Sequence, residues 1–229
     1  MCIMEYLTND YTLDLTGGFP LSTDSMVLSD FVKLPKNARV LDLGSGCGTL
    51  GLLLCARDPG CTVTGIELDE AAHAAAVENI ARNNLQSRLS SICSDLRTMP
   101  LENGGYHVCI SNPPYFSGGA RHQKNPLARQ EDTCPPRALF AAASKALRWG
   151  GDFFLVHKPD RLAQLCFEAS GVGLEPKRLR LVRHRPDAPI SLILLSCRKG
   201  GKPGLQIEEL TLFHSDGTPT ADHRRIYHN

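Results

Sequence analysis

The stretch Arg39-Val-Leu-Asp-Leu-Gly-Ser-Gly-Cys-Gly-Thr-Leu-Gly51 leaves few folds open to this chain. Its first five residues are an apolar run with the character of a short buried strand. They pass without a linker into Gly44-Ser-Gly46-Cys-Gly48, and from there into an apolar helical segment, Leu50–Ala56. Strand, glycine-rich turn and helix in immediate succession open a βαβ unit, the building block of a parallel sheet. The glycines let backbone amides approach a ligand and permit positive φ. The amino end of the following helix favours an anionic group. Residues 46–51 also satisfy G-x-G-x-x-G, a weak match to the dinucleotide fingerprint when it stands alone. Asp42 tells against that reading. A carboxylate directly before the turn repels a pyrophosphate and suits a ligand carrying a cationic amino group.

The pattern then recurs. Cys61–Ile66 reads as a second strand ending at Glu67-Leu68-Asp69, and Glu70–Asn83 as its helix. Residues 88–93 read as a third strand ending at Ser94-Asp95-Leu96. An acid at the end of the second strand can accept both hydroxyls of a ribose. The apolar run Tyr106–Ser111 is a fourth strand, stopped by Asn112-Pro113-Pro114-Tyr115 and followed by Phe116. Two prolines cannot continue a central strand, and each pushes the residue before it into an extended conformation. Asn112 and Pro113 therefore present rigid acceptors at the strand end, beside an aromatic ring, an arrangement suited to a planar group bearing an NH2. In an open α/β sheet, ligands sit at the carboxyl ends of the strands, where Asp42, Glu67, Asp95 and Asn112 all fall.

The flanks add less. In residues 1–38, 11–15 read as a short strand and Ser22-Thr-Asp-Ser25 as a capped helix start. Residues 117–132 lack periodicity and contain Arg121, His122, Lys124 and Arg129. A helix is expected over 135–148 with Gly150-Gly151 past its end, a strand over Asp152–Val156 and a helix over Asp160–Ala169. Gly173–Arg183 and Ile190–Cys197 read as paired strands, and 205–213 as a last one. The 229 residues suit one domain, with 1–38 capping a core of 39–229. A net charge of +1 argues against an overall polyanion binder, although residues 121–185 hold 13 Lys/Arg against 6 Asp/Glu. The nine cysteines form no C-x-x-C pair and several lie in apolar runs, so no metal site is expected and a reducing, cytoplasmic setting is. No apolar run reaches 18 residues, so no membrane span is expected.

In order and spacing, Val40–Gly48, Gly65-Ile-Glu-Leu-Asp69, Ser94-Asp95 and Ser111-Asn-Pro-Pro-Tyr-Phe116 resemble class I S-adenosylmethionine-dependent methyltransferases of the NPPY amino-methylating group. The similarity is closest to the tRNA adenine-N6 methyltransferases acting on adenine-37 of valine tRNA, through the region around Ser22, Phe116, Val156-His157 and the tail Leu205–Tyr227. The resemblance implies a doubly wound, seven-stranded, mostly parallel sheet with helices on both faces, a monomer, and a tRNA substrate. It implies that Asp42, beside Gly44 and Gly46, meets the amino-acid part of S-adenosylmethionine. Glu67 would bind the ribose, Leu68 the adenine ring, and Asp95 with Leu96 the adenine edge. Asn112 and Pro113 would accept from the target amine, with Pro114 completing the rigid turn and Asn112 also bordering the cofactor. Tyr115 would stack on the flipped base, Phe116 would wall the pocket, and Arg121 would contact substrate. No metal is implied.

Other readings compete. A protein glutamine N5-methyltransferase uses the same Asn-Pro-Pro-Tyr on a side-chain amide, but usually carries a helical domain ahead of the first strand. A DNA adenine methyltransferase usually has a sizeable base-recognition domain. A nicotinamide-dependent oxidoreductase is disfavoured by Asp42 and Asn112–Tyr115, and a non-catalytic cofactor-binding module would transfer nothing.

Overall fold

In a computed structural model the described residues are 4–6, 11–14, 21–113 and 134–227. Strands β1 (Met4–Tyr6) and β2 (Thr12–Asp14) form a separate antiparallel pair. The main sheet comprises β3 (Arg39–Leu43), β4 (Thr62–Glu67), β5 (Leu89–Cys93), β6 (Tyr106–Ser111), β7 (Leu147–His157), β8 (Leu174–Arg183), β9 (Ile190–Lys199) and β10 (Gln206–Thr211). Its order is β10-β8-β9-β7-β6-β3-β4-β5. Among these, only β9 runs against the rest, since it pairs antiparallel with both neighbours while every other pairing is parallel. Among the described residues the sheet thus has eight strands rather than seven. The added one is β10, which lies parallel to β8 at the outer edge.

Helices cover both faces. The central strands alternate: Val40, Val108, Ile110, Phe154 and Val156 enter one core, and Leu41, Leu43, Cys109, Phe153 and Leu155 the other. The first core is filled by α1 (Thr23–Phe31), α2 (Thr49–Arg57), α3 (Glu70–Arg82) and Ile226 of α6 (Ala221–Tyr227). The second is filled by α4 (Pro136–Ala146) and α5 (Leu162–Gly171). Phe31 meets Phe154 edge-on at 5.8 Å in the first, and Phe140 meets Phe153 at 5.3 Å in the second. Each such side chain contributes about 2–3 kcal/mol by leaving water. A strand buried on both faces must be apolar at successive positions, and this is why β3 and β6 read as continuous apolar runs.

Two boundaries differ from expectation. Helix α4 ends at Ala146, and β7 begins at once with Leu147. Gly150-Gly151 lies inside this strand, not past the helix: pairing jumps from Tyr106–Leu147 to Val108–Asp152, so the residues between bulge outward. A Cβ on Gly151 would come within 2.9 Å of the His107 carbonyl. The segment after β7 opens with a 3-10 turn, Pro159–Arg161, before α5 begins. At the amino end, Asn83 clamps β2: its Oδ1 accepts from Thr12 N at 2.8 Å and its Nδ2 donates to the Thr12 carbonyl at 2.7 Å. Leu13 is fully buried in the first core. Among the described residues no helix is long and apolar enough to cross a membrane.

Candidate active site

The carboxyl ends of β3, β4, β5 and β6 converge because these strands are parallel neighbours, and backbone bonds stitch the loops that leave them. Gly44 N and Ser45 N both donate to the Ile66 carbonyl at the end of β4, and Ser94 N donates to the Glu67 carbonyl. The turn 44–48 has the positive φ that its glycines allow, 55° at Gly46 and 86° at Gly48. A Cβ at Gly44 or Gly46 would meet nothing within 4 Å, so the turn borders open space. Gly65 has a different reason to be glycine: a Cβ there would lie 2.5 Å from Ser45 Oγ. Gly48 caps α2 without any side-chain bond, leaving the helix amino end available to an anionic group. Asn79, fully buried on α3, donates to the Cys47 carbonyl at 3.1 Å and holds the turn from behind.

Asp42 is 1% exposed, and neither carboxylate oxygen has a hydrogen-bond partner. Burial pushes its pKa from the ordinary 3.8 up to about 8, and the charge of Glu67 pushes the same way. Ser45 Oγ is likewise buried without a partner. A buried acid left unpaired beside a glycine turn that faces open space fits a cationic ligand, because a positive charge supplies the missing interaction. Glu67 is buried and already engaged: Oε2 accepts from Gly46 N and Oε1 from Asp69 N, both at 2.8 Å. Each carboxylate oxygen keeps a second lone pair for a ligand hydroxyl. Leu68, next in sequence, is 48% exposed, an unusual position for a large aliphatic side chain. Asp95 is held by Arg97, whose Nη2 lies 2.5 Å from Oδ2 and whose backbone N donates to Oδ1 at 2.9 Å. The Arg97 hydrogen bonds keep the Asp95 carboxyl below its ordinary pKa. Leu96 packs on the second core, facing α4.

Asn112 directly follows β6, the strand beside Asp42, since β3 and β6 are paired through Asp42–Ile110. Two serines fix this corner. Ser111 Oγ donates to the Leu43 carbonyl at 2.7 Å, tying the ends of β6 and β3 just past their last backbone pair. Asn112 Nδ2 donates to Ser25 Oγ at 3.1 Å. Ser25 is buried in the first turn of α1, whose cap is Ser22. That turn also lies near Lys158 beyond β7, which opposes the rise that burial causes in the Asp24 pKa. Pro113 is buried. Pro114, Tyr115, Phe116, Arg121 and the rest of the 117–132 stretch fall outside the described residues.

The structure therefore brings Asp42, the glycine turn, Glu67, Asp95 and Asn112 to one edge of the sheet. It adds Ser25, Ser45, Asn79 and Ser111, to which the sequence assigned no part in the site. It also changes the meaning of the basic excess between 121 and 185. Arg180 bonds Asp30 and Glu208, Arg178 bonds Glu208, and Arg183 bonds Glu209, all carboxylates from outside that window. Arg178 and Arg180 also lie over the Phe31 ring at 4.4 and 5.0 Å. These three arginines hold the edge strand and α1 in place.

Residues 22–168 match the model of the methyltransferase small domain. A tRNA1(Val) (adenine(37)-N6)-methyltransferase of Photobacterium profundum is 31% identical, with the match covering 89% of this chain and 88% of that protein. One of Bacteroides fragilis is 33% identical, covering 77% of this chain and 76% of that protein. Among solved structures, a predicted O-methyltransferase of Agrobacterium tumefaciens superposes with a TM-score of 0.76 at 20% identity, covering 90% of this chain and 96% of that one. Geranyl diphosphate C-methyltransferase of Streptomyces coelicolor, solved with S-adenosyl-L-homocysteine, gives 0.57 at 13% identity, covering 76% of this chain and 78% of that one. Those two likenesses speak for a methyltransferase fold, and the sequence relatives carry the assignment further. The chain belongs to the methyltransferase small domain family, alongside the tRNA1(Val) (adenine(37)-N6)-methyltransferases that it resembles over most of its length.

Proposed function

We propose that this chain is an S-adenosylmethionine-dependent enzyme that methylates the exocyclic N6 amine of an adenine in tRNA, near the anticodon, in the cytoplasm. The observation that carries the reading is the buried, unpartnered carboxylate of Asp42, one strand over from Asn112. When bound, S-adenosylmethionine supplies an electrophilic methyl group on a sulfonium centre. Asp42 would hold its ammonium group, and the uncapped amino end of α2 its carboxylate. Glu67 would take the ribose hydroxyls, Leu68 would lie against the adenine, and Asp95 and Leu96 would border the adenine edge.

The target amine is a poor nucleophile because its lone pair is delocalised into the purine ring. Asn112 Oδ1 and the Pro113 carbonyl would accept hydrogen bonds from its two N–H groups, drawing the nitrogen toward tetrahedral geometry and aiming the lone pair; as the N–CH3 bond forms and the S–CH3 bond breaks, the surplus proton on nitrogen leaves to water. Most of the gain is orientation. Tyr115 and Phe116 would stack on and wall the extruded base, a platform contributing about 1–3 kcal/mol per base, which partly offsets unstacking. The name borne by the sequence relatives supports tRNA over a glutamine side chain as the acceptor.

Methyl transfer to tRNA by Asn112→Ala tests the reading. The variant is expected to lose transfer while binding S-adenosylmethionine within a few-fold of the wild type, because the amide acts on the amine mainly in the transition state. A folded Asn112→Ala enzyme that methylates tRNA at the wild-type rate overturns it.

A further inference from the structure

We propose that Ser25 is a positioning residue for the transfer reaction: its hydroxyl anchors the inner end of the Asn112 amide, Nδ2 in this structure, and so holds the side-chain torsion that leaves the oxygen for the target amine. The inference rests on the role given to Asn112 above. An asparagine amide has two ends of nearly the same shape and opposite hydrogen-bonding character. Turned around, it would set its own N–H groups against the protons of the amine. Asn112 is only half-buried and follows the last residue of β6, so the strand alone does not fix its side-chain torsion. In this structure Nδ2 donates to Ser25 Oγ at 3.1 Å, across 87 positions of sequence.

Ser25 is well placed for this task because it is itself held. Its backbone N–H donates to Ser22 Oγ at 3.3 Å, and the two hydroxyls lie 3.4 Å apart. Met26, Val27 and Leu28 bury the same turn in the first core. The helix cap uses the Ser25 backbone and the Ser22 side chain, so the Ser25 hydroxyl is dispensable for capping. Truncating it leaves α1 intact, and the loss falls on the amide it holds.

The test is steady-state methylation of a tRNA transcript at saturating S-adenosylmethionine, with cofactor affinity measured separately by calorimetry. Ser25→Ala is expected to lower kcat by about 3- to 10-fold, the scale of one lost hydrogen bond, with cofactor Kd and thermal midpoint nearly unchanged. Ser25→Thr keeps the hydroxyl and is expected to recover most of the rate. Wild-type kcat in Ser25→Ala, an equal loss of cofactor affinity, or a Ser25→Thr enzyme as slow as Ser25→Ala would each overturn the proposal. An inactive Asn112→Ala beside a fully active Ser25→Ala sinks this inference alone, whereas a fully active Asn112→Ala sinks the functional reading beneath it.

Discussion

Replacing Asp42 by asparagine should stabilise the cofactor-free protein and disable it together. The folded state holds this carboxyl with a pKa of about 8, against an ordinary 3.8. Between those values the folded protein keeps a proton that the unfolded chain releases. The unfolded state therefore binds fewer protons, and stability falls as pH rises from about 4 to about 8. The slope approaches about 1.4 kcal/mol per pH unit, with a ceiling of nearly 6 kcal/mol across the window, taken as roughly 5 at pH 8. The substituted amide would have the same shape as the carboxyl and no charge to desolvate, but left unpaired it retains a penalty of about 1–3 kcal/mol at every pH. The net expectation is no gain near pH 4.5, rising to about 2–3 kcal/mol at pH 8, a shift of about 5–10 °C in thermal midpoint. Melts of both proteins from pH 4.5 to 8, without cofactor, read this directly. Calorimetry at pH 7 should show S-adenosylmethionine binding to the wild type with release of up to one proton, and binding to the variant weakened about 100-fold, the scale of a lost charge pairing of nearly 3 kcal/mol. A stability difference that does not vary with pH, or undiminished cofactor affinity, would refute the argument.

Three further substitutions separate the parts of the site. Ser111→Ala strips the Leu43 carbonyl of its 2.7 Å side-chain partner in a buried setting, and should lower stability by about 1–3 kcal/mol in urea melts; an unmoved midpoint would mean that the bond contributes nothing. Gly65→Ala puts a Cβ 2.5 Å from Ser45 Oγ, so Ser45 and the glycine turn must shift; cofactor affinity should fall about tenfold, 1.4 kcal/mol, with the fold retained, and an unchanged Kd would contradict the close approach. Arg180→Ala removes contacts to Asp30 and Glu208 and should cost about 1–3 kcal/mol of stability while leaving the salt dependence of tRNA binding unchanged; a shallower salt slope would instead put Arg180 on the RNA.

Much of the sheet was legible because buried parallel strands are apolar throughout and each ended on a residue with chemistry to offer. Strand β6 matches its expected span, Tyr106–Ser111, and β3 matches Arg39–Leu43. The junction of α4 and β7 was not, because Gly-Gly serves equally as a helix stop and as a strand bulge, and only pairing with β6 decides between them. The strand over 205–213 was readable, but its place as an eighth member beside β8 depends on a partner no local pattern reveals. At the site, Asp42, Glu67 and Asn112 were visible as the polar ends of apolar runs. Ser25 was absorbed by a sufficient local explanation, its place in a capped helix start. Its link to Asn112 spans a separation that leaves no trace in spacing. The basic window is incomplete for the same reason: charge summed along the chain omits Asp30, Glu208 and Glu209, which meet Arg178, Arg180 and Arg183 only in space.

The antiparallel turn of β9 has a consequence in time. With β9 alone reversed, β8 before it and β10 after it both run as β7 does, with their carboxyl ends on the edge that carries Asn112. Beyond β10, a file of rings runs from His184 through Phe213 and His223 to Tyr227. There α6 meets α1: Tyr227 bonds Thr23, and Arg225 bonds Asp30. The helix that holds Asn112 is thus braced by the last described turn of the chain. During synthesis, residues 21–113 can leave the ribosome with every strand that ends at Asp42, Glu67, Asp95 or Asn112, yet α1 lacks that brace until residues 221–227 follow. Contacts this distant in sequence form late. A growing chain is therefore expected to acquire the sheet edge of Asp42, Glu67 and Asp95 well before the corner around Asn112 becomes rigid.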